Sequence, residues 1–319
     1  MISNFNLLVM VLSTIALFLY GLRSFSDEVR SINSNKFKSR LSRITNNRYS
    51  AFLLGTLITA IIQSSSAVSS MTVAMVDAGV ISFQQSLAVL LGCNVGTTAT
   101  AWLVTLKLEN IGPYFIVLGT FISMMPLRWN LYGKSVFYFG FILFSLNLLS
   151  EVLATVQQEP WLVSLLDNAD NLFLGVLMGT AATILLQSSS LVTGLIILLA
   201  AQQSLNIDSA IAIILGCNIG TTSTALLGAT KMGSAAKRSA TANLLFNAAG
   251  LILFLPFTYA LSSLVQSMSD DIRFQVAWAH LIFNVVTALM ILPFINRFAG
   301  WFWKNQKIEV SEDKAQLNA

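Results

Sequence analysis

Charge is what this chain has least of. Asp, Glu, Lys and Arg make up 10% of its 319 residues, against about 25% in an ordinary soluble domain. Hydrophobic residues make up 55%, and the mean hydropathy is +0.73. That balance excludes a soluble globular domain. A single histidine leaves no material for a histidine metal cluster, and no zinc-ligand, Walker or Rossmann spacing occurs. The two cysteines, Cys93 and Cys217, are expected to be small buried packing residues, not a disulfide. Alternating strands of about 10 residues are missing, which excludes a membrane β-barrel. The first apolar segment, residues 5–22, has neither a basic leader nor an Ala-x-Ala-like cleavage site, so a retained span is expected. A net charge of +4 and a pI of about 9.1 would suggest nucleic acid in a soluble chain. Here they are expected to mark basic loops on one face of a membrane, with lipid and not nucleic acid as the neighbour.

What the chain does have is a series of apolar runs near the ~20 residues that cross a ~30 Å hydrocarbon core, and a polar text written twice. Gly55-Thr56, Thr59 and Gln63-Ser64-Ser65-Ser66 precede Gly92-Cys93-Asn94-Val95-Gly96-Thr97-Thr98 and Thr100-Ala101. Gly179-Thr180, Thr183, Gln187-Ser188-Ser189-Ser190, Gly216-Cys217-Asn218-Ile219-Gly220-Thr221-Thr222 and Thr224-Ala225 repeat it 124 residues later, without a gap. Polar, glycine-interrupted clusters at equivalent places in two apolar halves point to a secondary transporter whose site lies at the interface of two repeats.

The expected fold is therefore all-α and polytopic, with two inverted repeats. Repeat 1 (1–130) holds a span at 5–22, a basic linker at 23–50, a re-entrant hairpin at 51–79, a broken span at 84–106 and a span at 111–127. Repeat 2 (131–265) holds a span at 133–153, a hairpin at 171–202, a broken span at 208–229 and a span at 239–263. A last span at 276–302 and a short tail complete 266–319. The stretch 63–70 is rich in serine, and hydroxyls at mid-depth need protein or a cavity around them, which favours a hairpin over a through-going helix. This topology puts all but Lys107 and Arg273 of the 18 Lys and Arg residues on one face, which the positive-inside rule makes cytoplasmic. The N-terminus is then outside, the C-terminus cytoplasmic, and the three spans between the hairpins make them enter from opposite faces. In each repeat the first span, 19–27 or 144–151, plays the same part for its hairpin. A smaller echo, offset by 37 residues, relates Asn243 to Asn247 with Pro256-Phe257 to His280 to Asn284 with Pro293-Phe294, suggesting two antiparallel helices that pack alike. Asp77, whose equivalent is Ala201, is expected to be interfacial.

Each polar cluster offers hydroxyls, a carboxamide and backbone groups freed where helices break. Half-helix N-termini suit an anion, and half-helix C-terminal carbonyls with Ser and Thr oxygens suit a hard monovalent cation. Neither cluster contains a charged residue, so an anion bound there is expected to bring cations with it. Small polar residues also act as glue between membrane helices, but two copies in register with a second duplicated motif outweigh that reading. A proton relay would want intramembrane carboxylates or histidines. An intramembrane serine hydrolase would need a general base beside its nucleophile, and no enzyme is expected. A channel is disfavoured because nothing resembles a ring-forming filter.

These motifs resemble those of the type II Na⁺/phosphate cotransporter family, which is marked by two Gln-Ser-Ser-Ser hairpins, each followed by a Gly-x-Asn-[Ile/Val]-Gly-Thr segment. The resemblance covers about residues 10–300. It implies Na⁺-driven symport of inorganic phosphate by alternating access across a cell membrane, a bacterial inner membrane, with Na⁺ as coupling ion and no other cofactor. It implies phosphate contacts at Gln63, Ser64, Ser65, Ser66, Gln187, Ser188, Ser189, Ser190, Asn94 and Asn218. It implies Na⁺ contacts at Gln63, Ser65, Thr97, Thr98, Gln187, Ser189, Thr221 and Thr222. A phosphate exporter, or a carrier of another oxyanion on the same fold, is the alternative, and a homodimer is compatible with the sequence. Many bacterial relatives append a cytoplasmic domain resembling the phosphate-regulatory protein PhoU. This chain stops about 17 residues after its last span, so regulation by such a fused domain is not expected.

Overall fold

The computed structural model describes residues 4–32, 45–106, 111–125, 128–157 and 159–300. Among them every regular element is helical. Repeat 1 comprises α1 (Asn4–Ile32), α2 (Arg48–Ile62), α3 (Ser65–Asp77), α4 (Phe83–Thr105) and α5 (Gly112–Ser123). Repeat 2 comprises α6 (Arg128–Val156), a short α7 (Pro160–Asp167), α8 (Leu172–Leu186), α9 (Ser189–Ala201), α10 (Ile207–Ala229) and α11 (Ser234–Phe254). A 3-10 turn at Leu255–Phe257 leads into α12 (Thr258–Met268), and α13 (Ile272–Ile291) ends in the matching turn Leu292–Phe294. Both ends of α1, α2, α3 and α4 return 124 residues later in α6, α8, α9 and α10. The 37-residue echo also holds, since Asn247 and Asn284 each donate from Nδ2 to the carbonyl four residues back at 2.9 Å.

The caps repeat with the helices. Asn47 and Asn171 accept the first free N–H groups of α2 and α8, and Ser82 and Asn206 do so for α4 and α10. Such caps satisfy donors that a helix start leaves open. The loop before each hairpin is tied to the long helix in the same way. Gln85 donates to Asn46 at 2.8 Å, and Ser209 donates to Asp170 at 2.6 Å. The Asp170 carboxyl is held below its ordinary range by the Ser209 hydroxyl and then by the Asn206 amide.

Among the described residues, six segments are long and apolar enough to cross a membrane: Phe5–Glu28, Phe83–Thr105, Tyr132–Val156, Ile207–Ala229, Ser234–Met268 and Ile272–Gly300. The chain is a membrane protein. The helices α4 and α10 form the centre of the bundle, with 78% and 72% of their apolar windows buried, while α1 lies at the periphery with 22%.

Three expectations need correction. The spans at 84–106 and 208–229 are not broken: α4 and α10 run unbroken through Gly92–Thr98 and Gly216–Thr222. Their glycines serve close approach instead. A Cβ on Gly92 or Gly216 would meet the Phe52 or Val176 carbonyl oxygen at 2.0 Å, and one on Gly55 or Gly179 would meet the Val89 or Ile213 carbonyl oxygen at 2.2 or 1.9 Å. The first hairpin arm and the long helix are thus seated backbone on backbone, which only small residues permit. The span expected at 111–127 is a helix of 12 residues, about 18 Å long, and too short to cross alone. The linker expected from residue 23 begins later, because α1 continues to Ile32. Linker residues 33–44, Lys107 and the tail 301–319 lie outside the described residues.

Candidate functional site

A helix break falls inside each expected hairpin, and the same strained residue makes each. Gln63 ends α2 at φ 57°, ψ 27°, and Gln187 ends α8 at φ 53°, ψ 25°. Glycine is the usual occupant of this left-handed position, and a side chain there costs about 1–2 kcal/mol. The amide supplies a reason to keep glutamine. Gln63 Nε2 donates to the Ala60 carbonyl and Gln187 Nε2 to the Ile184 carbonyl, closing the frayed helix ends. On the other side of each amide, Oε1 accepts from the Thr100 or Thr224 hydroxyl, both at 2.8 Å. Each hairpin tip is thereby pinned to a long helix by a Gln–Thr pair.

The following residue starts the second arm. Ser64 and Ser188 are extended N-caps whose hydroxyls accept from Ala67 N–H at 3.3 Å and Leu191 N–H at 3.2 Å. The leading N–H groups of α3 and α9 therefore begin at Ser65–Ser66 and Ser189–Ser190, where a helix has donors without intrahelical partners. At each break, C-terminal carbonyls of one helix lie beside N-terminal donors of the next.

The two tips meet. A cavity of about 510 Å³ is walled by Gln63–Ala67 and Ser70 from the first hairpin, by Leu186–Ser190 from the second, and by Thr224 of α10. The rest of the wall comes from α1: Leu19, Leu22, Arg23, Ser26 and Asp27. The Thr100 hydroxyl also approaches Ser190 Oγ at 3.3 Å, linking α4 of one repeat to the hairpin of the other. The repeats are unequal here, with Thr100 3% exposed while Thr224 and Gln187 stand at an open edge.

All eight residues of the two Gln-Ser-Ser-Ser segments thus come together. The residues expected from the long helices are placed elsewhere. Asn94 donates to Asn247 of α11 at 3.2 Å, and Asn218 donates to the Ile214 carbonyl at 3.1 Å. Thr97, Thr98, Thr221 and Thr222 donate back to Cys93, Val95, Cys217 and Ile219 of their own helices at 2.7–2.9 Å. None of the six lines the cavity. The threonines that do reach the tips are Thr100 and Thr224, which also stand in the duplicated text. The two clusters carry no charge, as the sequence indicates, but the cavity does, through Arg23 and Asp27. Asp77 lies apart and accepts the Gly233 N–H at the start of α11 at 2.7 Å. Four buried hydroxyls, Thr59, Ser69, Thr183 and Thr193, have no oxygen or nitrogen partner among the described residues, while Thr59 and Ser69 face the Cys93 thiol and Thr183 the Cys217 thiol. They too obey the 124-residue offset.

The Na⁺/Pi-cotransporter family pattern matches twice, over residues 17–151 and 143–269. The chain belongs to this family. The double match agrees with the duplication seen in the helices. An uncharacterized protein of Bacillus subtilis, YqeW, is 32% identical over 92% of this chain and 96% of its own length. A putative inorganic phosphate export protein of Escherichia coli, YjbB, is 27% identical over 91% of this chain and 54% of its own. The chain thus spans about half the length of the YjbB protein. A sodium-dependent phosphate transport protein of rat, 2C, is 33% identical over 37% of this chain and 21% of its own. No solved structure shows a significant match.

Proposed function

We propose that this protein carries inorganic phosphate across a cell membrane together with Na⁺, by alternating access, with both ions held between the hairpin tips. The observation that carries the reading is the convergence of two serine-rich helix starts on one cavity. Each helix start contributes free N–H donors and about half a positive charge, and the serine hydroxyls add donors suited to a tetrahedral oxyanion. We assign Gln63–Ser66 and Gln187–Ser190 to the phosphate. The carbonyl ends of α2 and α8, with Gln63 and Gln187 Oε1 and the Ser65 and Ser189 hydroxyls, form the oxygen-rich surroundings that suit Na⁺. Thr97, Thr98, Thr221 and Thr222, whose hydroxyls are engaged within their own helices, hold the helix faces behind the tips, while Asn94 joins α4 to α11 and Asn218 bonds within α10.

Inverted orientation of the two repeats and cytoplasmic placement of the basic face belong to this reading. The inequality of the Thr100–Ser190 and Thr224–Ser66 positions supports alternating access, because two repeats that exchange conformations should be caught unlike one another. The relatives include one named a sodium-dependent phosphate transport protein and one named a putative inorganic phosphate export protein, and either direction is compatible with this reading. Uptake of ³²P-phosphate into proteoliposomes, with an inward Na⁺ gradient or with choline in its place, tests the coupling. Accumulation that requires the gradient is expected, and equal uptake in both would remove Na⁺ from the reading.

A further inference from the structure

The wall that α1 gives to the cavity contains charges that the duplicated motifs lack. Arg23 and Asp27 lie one helical turn apart, a spacing at which such residues ordinarily pair. Here neither takes part in an ion pair among the described residues, where the pairs are Lys134–Glu28 and Arg273–Asp271. Both instead line the cavity with the serine triplets.

The repeat shows what is special about this wall. Advancing 124 residues turns Leu19, Leu22, Ser26 and Asp27 into Leu143, Leu146, Ser150 and Glu151. Arg23 alone changes its chemistry, becoming Asn147. None of the α6 residues lines the cavity: Leu143 and Leu146 are buried at 3% and 7% exposure, and the Ser150 carbonyl accepts from Gln202. The carboxylate is kept in both repeats, so the difference in charge between the two walls rests on Arg23.

Resting on the phosphate reading, we propose that Arg23 is the cationic contact of the transported oxyanion in the state whose cavity is walled by α1. Its replacement by Asn147 in the second repeat then makes the two access states unequal in anion affinity. Two helix starts supply about one positive charge between them, and Asp27 in the same wall offsets it, which leaves a phosphate dianion undercompensated. A guanidinium adds a full charge and a planar fork that meets two oxygens of a tetrahedral oxyanion at once. When the opposite wall faces the cavity, Asn147 offers a neutral amide there, and the anion is held less firmly.

Calorimetric titration of the purified full chain in Na⁺ buffer tests this, with phosphate and, in a parallel series, sulfate as probes at about pH 6 and about pH 8, since Coulombic attraction grows with anion charge. Arg23→Asn is expected to weaken binding at least about tenfold, more at the higher pH where the dianion predominates. Arg23→Lys, which keeps the charge and loses the fork, should fall between, and it decides the question if Arg23→Asn does not stay monodisperse. A purely structural arginine would leave the ratio of the two affinities unchanged. Wild-type protein that binds phosphate, with variants matching it at both pH values, overturns the anchor and leaves the phosphate reading standing. Wild-type protein that binds sulfate but not phosphate, with the variants weakened, keeps the anchor and overturns phosphate as the substrate.

Discussion

Substituting Gly216 by alanine puts the packing of hairpin on long helix under direct test. The added Cβ would lie 2.0 Å from the Val176 carbonyl oxygen and 2.9 Å from Thr180 N, both backbone atoms of α8. Restoring an ordinary contact of 3.4 Å to that oxygen requires α8 to shift by about 1.4 Å. A backbone carbonyl cannot rotate aside as a side chain would, so the upper end of the usual overpacking range, about 3 kcal/mol, applies. Alanine returns about 1 kcal/mol of helix propensity, leaving a net loss of about 2 kcal/mol. Gly228 lies on the same helix with no heavy atom within 4 Å of its would-be Cβ. Gly228→Ala should therefore be neutral or stabilising by up to about 1 kcal/mol.

The same chemical change, made at two places on α10, should thus act in opposite directions with a gap of about 3 kcal/mol. At about 2–4 °C per kcal/mol, the midpoints of thermal unfolding in detergent should differ by about 6–12 °C. Gly216→Ala should also lower phosphate uptake, because a displaced α8 carries Gln187 with it. Midpoints agreeing within about 2 °C would refute the packing argument and return Gly216 to the role of a helix break.

Three further outcomes follow from the tips and their supports. Ser65→Ala and Ser189→Ala should each reduce phosphate uptake while leaving expression and folding intact, since a serine acting only as helix glue is worth about 0.6 kcal/mol; normal transport at limiting and saturating phosphate would make the triplets structural. Cysteines replacing Asn46 and Asp167, both exposed, should react with an impermeant reagent from opposite sides of intact cells, with buried Cys93 and Cys217 silent; labelling from one side would end the inverted arrangement. The depressed carboxyl of Asp170 stabilises its connection at pH above the unfolded value of 3.8, and this contribution is lost as pH falls through the folded value; the melting difference between wild type and Asp170→Asn should shrink across that acid range, and a constant difference would sink the assignment.

The duplicated text made much of the fold readable before any coordinates. Gln-Ser-Ser-Ser marks a chain reversal because glutamine and serine are poor company for lipid, and the structure places the breaks at Gln63 and Gln187. The 124-residue offset transfers the N-caps of α2, α3 and α4 to α8, α9 and α10, so knowledge of one repeat becomes knowledge of two. The glycines misled for a physical reason. A glycine beside Asn and Thr in an apolar helix has the same local appearance whether the helix opens there or another backbone presses on it. Only the opposing carbonyls of Phe52 and Val176 distinguish the cases, and they lie about 40 residues away in sequence.

The same limit governs the site. Asn94, Thr97 and Thr98 share a motif with Thr100, yet α4 turns by about 100° per residue, so neighbours in text face different surroundings. Thr97 and Thr98 spend their hydroxyls on their own helix, and Thr100 reaches Gln63. Local sequence gives the hydroxyls but not their directions, which the packing of α2 on α4 sets. Arg23 was hidden differently. It stands outside both motifs, at the end of the first apolar run, where a basic residue is routinely assigned to the membrane surface. Its place in the wall follows from α1 continuing as helix through Asp27 beside the first hairpin tip. The clusters are neutral and the cavity is not, because a cavity is closed by whichever helix packs over it, here α1 with Arg23 and Asp27. With Arg23 present, the desolvation of an incoming anion falls partly on a fixed charge, and the dependence on co-bound cations should be weakest in the state that α1 walls.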